Sequence, residues 1–301
     1  MYNKYDNKVY IADFSNHRIV VFDEELNYLT TFGRFGQGPG EFQNPSGFAF
    51  MSDGRMIVSD WVNSRYQIFD ENYNHLTMFS IGSTLGYDYY YPAVDKKDRI
   101  YVHMPGNGSL FSLLNDKGEI IKSGGELMPI KIDTTNSNWH LWYMLDSMGD
   151  YEIDVSGNIF FAFANYPILR VFDPDFNIIQ EADLSNSGVS VSRRLYNERR
   201  RRQDRMKDDG YKAKTYVTDV SIDSDFFYVY HFDDMNSGKK ERRYWERLYA
   251  YSKEDLKLNK EILLEYYINN EHKYHCIDFD FSHNENIYAV AYPNYVLLFK
   301  K

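Results

Sequence analysis

The sequence is poor in cysteine and contains no long hydrophobic run. Cys276 is the only cysteine among 301 residues, so the chain has no intrachain disulfide. No window approaches the roughly 18 apolar residues that a membrane-spanning helix requires. The opening residues MYNKYDNKVY do not show the basic segment and apolar run of a signal peptide. The sequence therefore predicts neither a disulfide-dense scaffold nor a transmembrane segment.

Positive charge is also scarce, whereas aromatic residues are abundant. The chain has 34 Lys and Arg against 44 Asp and Glu, a formal net charge of -10. Because a strongly acidic surface repels phosphate backbones and anionic lipids, we expect no nucleic-acid partner and no binding to a membrane surface. The 28 Tyr and 21 Phe indicate a large core of strand-forming residues.

An internal repeat organises the chain. Residues 6–33 return as residues 53–80, with equivalent aspartate, asparagine, arginine and phenylalanine positions. Weaker copies keep the apolar rhythm and give six copies in all. They occupy residues 98–123, 157–184, 225–264 and 285–301.

Each copy contains short β-branched and aromatic runs separated by Gly, Asn and Asp turns, and a further short run precedes most copies. This pattern predicts four antiparallel strands, a to d, repeated radially as a six-bladed β-propeller in a single domain, 1–301. The first and last blades each appear one strand short in the sequence, which predicts a weak seam with exposed edges. A five-bladed ring is the alternative. The predicted blades span 7–33, 45–80, 91–123, 151–184, 215–264 and 275–301.

Residues 32–70 resemble an NHL-repeat blade. They contain the linker FGQGPGEFQNPSG, then DGRMIVSD, N-x-R and a final Phe-Asp. The chain is similar to the NHL-like six-bladed propellers of Bacteroidetes, many of which are exported lipoproteins. The resemblance implies a periplasmic or cell-surface protein if an upstream segment carries the export signal, and otherwise leaves the compartment open.

The strand order predicts that one face of the disc is elaborated. The a–b and c–d turns are short, whereas the d-to-a crossovers and one b–c loop are long. Because long loops in a compact domain are typically functional, we expect a ligand or partner at this long-loop face. The long segments are 34–46, 81–90, 124–149, 185–213, 232–243 and 265–274.

Two of these segments contain candidate ligand-binding residues. One contains aromatic and histidine side chains suited to a sugar ring or a protein anchor, or to capping the groove between two blades. The other predicts a helix whose arginines either clamp an anion or acidic partner or form a solvated charged face. The candidates are Trp139, His140, Trp142, Tyr143, Arg199 and Arg202.

A third candidate site lies in the central channel. Related six-bladed folds include metal-dependent lyases and lactonases that hold a cation there. Alignment of the inner strands places Glu152, Asp219 and Asp278 at one position, and His103 near the same mouth. These side chains either bind Ca²⁺ or another divalent cation or serve as hydrogen-bonded channel residues. Asp280, two residues further on, is predicted to be a turn residue.

The cluster at Asp13 and Asn16-His17-Arg18 has the residue types of a catalytic site. It recurs as Asp60 and Asn63-Ser64-Arg65, and a catalytic cluster has no need to occur twice in tandem. We therefore predict a hairpin device in which each aspartate either accepts hydrogen bonds from turn amides or pairs with the following arginine. The sequence as a whole predicts a binding or scaffold module for a protein or glycan partner, with no assigned catalytic residue. A metal-dependent lyase or lactone hydrolase is the alternative.

Overall fold

The protein forms six antiparallel sheets in the computed structural model. The structure describes residues 1–80, 91–105, 108–128, 147–164, 166–184, 217–233, 245–264, 275–281, 287–292 and 295–299. No helix among these residues is long and apolar enough to cross a membrane.

The first three sheets, or blades, each contain four strands. Blade 1 contains β1 (Tyr2–Asn3), β2 (Lys8–Asp13), a 3-10 turn (Phe14–Asn16), β3 (Arg18–Phe22) and β4 (Tyr28–Phe32). Blade 2 contains β5 (Pro45–Phe50), β6 (Met56–Asp60), β7 (Arg65–Phe69) and β8 (His75–Ser80). Blade 3 contains β9 (Pro92–Val94), β10 (Ile100–His103), β11 (Phe111–Leu114) and β12 (Ile120–Gly124).

The remaining blades follow the same order. Blade 4 contains β13 (Gly149–Ile153), β14 (Ile159–Phe163), β15 (Ile168–Phe172) and β16 (Ile178–Asp183). Blade 5 contains β17 (Val217–Ile222), β18 (Phe226–Asp233), β19 (Trp245–Ser252) and β20 (Leu258–Leu264). Blade 6 contains β21 (His275–Phe281), β22 (Ile287–Tyr292) and β23 (Tyr295–Phe299). The predicted six-bladed β-propeller is confirmed.

The two terminal blades differ from each other. Tyr2 and Asn3 pair with Val9 and Lys8, so blade 1 has four strands and the expectation that it lacks one is wrong. Its inner strand was missed because two residues carry no visible strand pattern. Within the described residues, blade 6 has three strands, in agreement with the expected short last blade.

Among the described residues the core forms six hydrophobic clusters between the blades, each joining two neighbouring sheets. A middle strand therefore packs on both faces, and all five residues of β6 and all five of β14 are buried. This explains why β14 is apolar throughout and β6 begins with three consecutive apolar residues, rather than alternating.

The c–d turns project bulky residues toward the preceding blade. Tyr73 has a φ of 65° and Phe176 a φ of 69°, a left-handed conformation that bulky residues seldom adopt. The Tyr73 ring stacks on Phe32 at 4.7 Å, and the Phe176 ring stacks on Phe111 at 6.0 Å, measured between ring centroids. Burial against the neighbouring blade offsets the backbone strain at these turns.

The seam between blades 6 and 1 is closed by side-chain packing. Tyr2 and Tyr288 stack with centroids 5.7 Å apart, and the Tyr288 hydroxyl donates to the carbonyl oxygen of Glu24 at 2.9 Å. The backbone N–H of Tyr2 donates to Asp280 Oδ2 at 2.6 Å. Asp280 was predicted to be a turn residue. It lies within β21 instead, where its carboxylate joins the two ends of the ring.

Candidate binding face

A buried polar network anchors the glycine-rich linker to the long-loop face of blade 2. Asp60 is fully buried at the end of β6. Its Oδ2 accepts from Arg65 Nε at 2.7 Å and from Asn63 Nδ2 at 2.9 Å, and its Oδ1 accepts from the backbone N–H of Gln43 at 2.7 Å. Since a buried carboxylate requires such partners, this network fixes the b–c loop and the linker together.

Arg65 holds the linker through its backbone carbonyls. Its Nη1 donates to the oxygen of Gln37 at 2.6 Å, and its Nη2 donates to the oxygens of Gly38 and Glu41 at 3.0 and 2.9 Å. The planar fork of a guanidinium can satisfy several acceptors at once. Gly33, with a φ of 86°, must lack a side chain because a Cβ there would meet the ring of Phe42 at 2.4 Å.

Asp13, Asn16 and Arg18 of blade 1 are equivalent to Asp60, Asn63 and Arg65 and form the same ion pair. Among the described residues, no linker segment accepts hydrogen bonds from Arg18 as the linker does from Arg65. Arg18 Nε donates to Asp13 Oδ2 at 2.8 Å, and Asn16 Nδ2 donates to Asp13 Oδ1 at 2.9 Å. The predicted pairing of each aspartate with its arginine is therefore confirmed in both copies.

His17 contacts the linker, although the second copy has Ser64 at this position. Both residues occupy the left-handed region, with φ values of 59° and 51°. His17 Nδ1 accepts from the backbone N–H of Asn44 at 3.1 Å, and its ring lies 4.9 Å from that of Phe35. His17 therefore supports the linker from the blade 1 side, whereas Arg65 supports it from blade 2.

Exposed apolar side chains lie on the anchored linker and on the adjoining part of blade 2. Phe35 is 64% exposed and Val62, on the b–c loop of blade 2, is 46% exposed. Val62 and Met78 line an open depression of about 510 Å³ together with Arg65. Phe35 does not line this depression, and its ring packs beside His17. We call the three exposed residues of this face, Phe35 of the linker, Val62 of the b–c loop and Met78 of β8, the apolar patch.

The sequence-predicted ligand residues of the longer crossovers lie outside the described residues. This applies to Trp139, His140, Trp142, Tyr143, Arg199 and Arg202, whose assignment to a ligand site stays a prediction.

The channel carboxylates occupy two levels rather than one. The strand ladders place Glu152 opposite Phe160, and Asp150 opposite Ala162. Asp219 and Asp278 occupy the register position of Asp150, whereas Asp280 is the equivalent of Glu152. The expected alignment of Glu152 with Asp219 and Asp278 is wrong by two residues, about 7 Å along a strand. The described backbone therefore does not bring these three residues to one level.

Three of the inner-strand carboxylates connect neighbouring blades. Asp150 Oδ2 accepts from the backbone N–H of Val220 at 3.0 Å, and Asp219 Oδ2 accepts from that of Phe279 at 2.6 Å. These bonds cross from blade 4 to blade 5 and from blade 5 to blade 6, as the Asp280 bond crosses from blade 6 to blade 1. No sequence pattern singled out this use of the aspartates, because it depends on which backbone faces each strand. Among the described residues, no group of three or more His, Cys, Asp or Glu side chains is placed to hold a metal ion.

His103 lies in the core between blades 3 and 4. Its ring packs 5.0 Å from Phe161 and 5.9 Å from Phe111, and its Nε2 is 3.1 Å from the carbonyl oxygen of Ser147. Burial lowers the pKa of His103 to about 4, so the neutral ring donates to Ser147 at neutral pH. This surrounding fits a core residue better than a ligand exposed at the channel mouth.

The buried His103 predicts acid sensitivity. Its pKa in the folded protein, about 4, lies below the value of about 6.5 expected for the unfolded chain. The unfolded state therefore binds more protons between pH 6.5 and 4, and stability contributed by the neutral ring is lost as the pH falls through this window. We expect His103 to account for roughly 3 kcal/mol of that loss.

Urea unfolding of the wild type and His103→Gln across this pH range measures the effect. The glutamine amide retains a donor for Ser147 but does not titrate, so the His103→Gln protein should show the shallower pH dependence. Equal pH slopes for the two proteins would contradict the neutral, buried state of His103.

Comparison with known proteins supports the fold. A family profile described as a 6-bladed beta-propeller matches residues 3–61. No curated protein sequence gives a significant match.

Solved structures resemble nearly the whole chain at low sequence identity. A putative exported protein from Bacteroides fragilis is 12% identical with a TM-score of 0.52, covering 97% of this chain and 77% of that one. A member of the duf4221 family from Bacteroides vulgatus is 13% identical with a TM-score of 0.56, covering 94% of this chain and 83% of that one. Virginiamycin B lyase from Staphylococcus aureus is 9% identical with a TM-score of 0.51, covering 98% of this chain and 80% of that one. At these identities the similarity establishes the fold alone.

Proposed function

We propose that this six-bladed β-propeller is a binding module that recognises a protein partner through its long-loop face. The observation that carries the proposal is the apolar patch, in which Phe35 lies on the anchored linker, Val62 on the b–c loop of blade 2 and Met78 on β8. Exposed aromatic and aliphatic side chains on a rigid support are typical centres of protein interfaces. The propeller fold itself supports a binding or scaffold role.

The network beneath the patch favours recognition by a preformed surface. Phe35 belongs to the linker whose carbonyls Arg65 holds, and its ring packs beside His17. A partner that binds Phe35 does not first have to order a free loop, which reduces the entropy lost on association. Arg34, whose side chain is largely exposed next to Phe35, adds a charged group at the rim of the patch.

The hydrogen bonds made by Asp150 and Asp219 in the channel support a binding module rather than an enzyme. The Asp150 and Asp219 carboxylates each accept a backbone N–H of the next blade. A carboxylate oxygen that fixes the inner strands in this way has a structural role independent of any substrate. We therefore assign Asp150 and Asp219 to ring assembly and the long-loop face to recognition.

Selection of peptides from a display library on the immobilised wild-type protein tests this proposal. We expect selected peptides to lose at least about tenfold in affinity for Phe35→Ser/Val62→Ser, because hot-spot side chains contribute more than about 1 kcal/mol each. The control Ile121→Ser/Ile179→Ser changes two exposed residues of the outer strands and should bind as the wild type does. Peptides that bind both double variants equally would contradict the proposal.

A glycan array probed in parallel distinguishes the carbohydrate alternative. Glycan hits that are abolished by Trp142→Ala, with no peptide sensitive to Phe35→Ser/Val62→Ser, would replace the protein partner with a sugar. Peptide hits that retain full affinity for Trp142→Ala would place recognition away from the longer crossover.

A further inference from the structure

The long-loop face contains two copies of one peptide-holding triad, but only one has its peptide in the described structure. In blade 2 the triad is Asp60, Asn63 and Arg65, and it holds the linker. We infer that the second triad, Asp13, Asn16 and Arg18, is a docking site for an extended, glycine-rich peptide segment. This site goes beyond the apolar patch and does not depend on it.

The two triads have the same internal geometry. The arginine Nε lies 2.8 Å from the aspartate Oδ2 in blade 1 and 2.7 Å from it in blade 2. The asparagine Nδ2 lies 3.1 Å from the same oxygen in blade 1 and 2.9 Å from it in blade 2. The aspartate therefore already holds Arg18 as it holds Arg65, whose Nη atoms donate to backbone carbonyls.

The two triads differ in the exposure of the arginine and in its contacts with a peptide segment. The side chain of Arg65 is 10% exposed, and its Nη atoms donate to three linker carbonyls. The side chain of Arg18 is 44% exposed, and its hydrogen bonds within the described part of the chain go to Asp13 alone. Its Nη groups are available to acceptors of the kind that residues 37, 38 and 41 provide.

The occupant follows from the blade 2 precedent. Residues 36–43 approach their triad closely enough to present three carbonyls to one guanidinium and a backbone N–H to Asp60. Glycines at positions 36, 38 and 40 permit this approach and the turn that it requires. A segment of similar composition from another chain would place its carbonyls on Arg18 and an N–H on Asp13.

A fluorescent peptide with the sequence GRFGQGPGEFQN, residues 33–44, tests the site by anisotropy. We expect saturable binding to the wild type, with a scrambled peptide as the reference for non-specific association. Arg18→Ala and Arg18→Lys should each weaken binding by about tenfold or more, since lysine keeps the charge but loses the fork. Arg55→Ala, which removes an exposed arginine from the opposite face, should leave the affinity unchanged.

The position of the bound peptide separates docking from displacement of the internal linker. A benzophenone-labelled peptide should cross-link near residues 13–18. Cross-links near residues 60–65, or affinity that is unchanged in Arg18→Lys and Arg18→Ala, would overturn the proposal, as would the absence of binding. None of these outcomes affects the Phe35→Ser/Val62→Ser comparison, so failure of this site is distinguishable from failure of the proposed function.

Discussion

Replacing Asp60 with alanine is expected to reduce the free energy of unfolding by about 3 to 5 kcal/mol. Asp60 is fully buried and accepts hydrogen bonds from Arg65, Asn63 and the backbone N–H of Gln43. Its removal leaves a nearly buried guanidinium without its counter-charge and frees the linker from the b–c loop. Urea unfolding monitored by fluorescence, with circular dichroism to verify the fold, measures the change.

Asp13→Ala is the matched control, because it removes the same residue from the same motif in a more exposed copy. Asp13 and Arg18 form a partly exposed pair, for which the expected loss is below about 1 kcal/mol. Hydrogen exchange in residues 33–44 should accelerate in Asp60→Ala and stay unchanged in Asp13→Ala. Similar losses of stability in the two variants would contradict the distinction between a buried linker anchor and an exposed docking triad.

Replacing Tyr288 with alanine is expected to destabilise the protein by about 3 to 5 kcal/mol, because it removes a buried aromatic ring from the ring seam. Tyr288 stacks on Tyr2 and donates its hydroxyl to Glu24. In the part of the chain that the structure describes, a small cluster joins blades 6 and 1, with these two tyrosines and Val9 as its buried members. Loss of the Tyr288 side chain therefore weakens the contact between blades 6 and 1. Urea unfolding measures the change in stability.

Tyr288→Phe separates packing from hydrogen bonding at the seam. The phenylalanine ring can stack on Tyr2 but cannot donate to Glu24, so the expected loss is about 1 kcal/mol. Equal losses of stability in Tyr288→Ala and Tyr288→Phe would show that the hydroxyl hydrogen bond, rather than the stacked tyrosine side chains, joins blades 6 and 1.

The repeat made the fold predictable because the residues that form each hairpin and its ion pair recur at equivalent positions. The recurrence of Asp13 and Arg18 as Asp60 and Arg65 indicated a hairpin device, and the two ion pairs follow that prediction. Glycine and asparagine turns between apolar runs gave the strand count of most blades. These features depend on residues close together in the chain, which is where sequence patterns are most informative.

The channel and the seam were less predictable because they depend on register between distant strands. Aspartates recur at intervals of two in β21, so spacing alone could not decide whether Asp278 or Asp280 corresponds to Glu152. The hydrogen-bond ladder decides in favour of Asp280. Similarly, the burial of His103 between blades 3 and 4 results from rings contributed by β11 and β14, which its own sequence surroundings do not indicate.

Recognition through the long-loop face is tested most directly by hydrogen–deuterium exchange with and without the tightest peptide selected on the wild-type protein. We predict that binding protects residues 33–44 and the b–c loop at residues 61–64, which contain Phe35 and Val62 of the apolar patch. Protection confined to the outer strands or to the short turns of the opposite face would contradict the account.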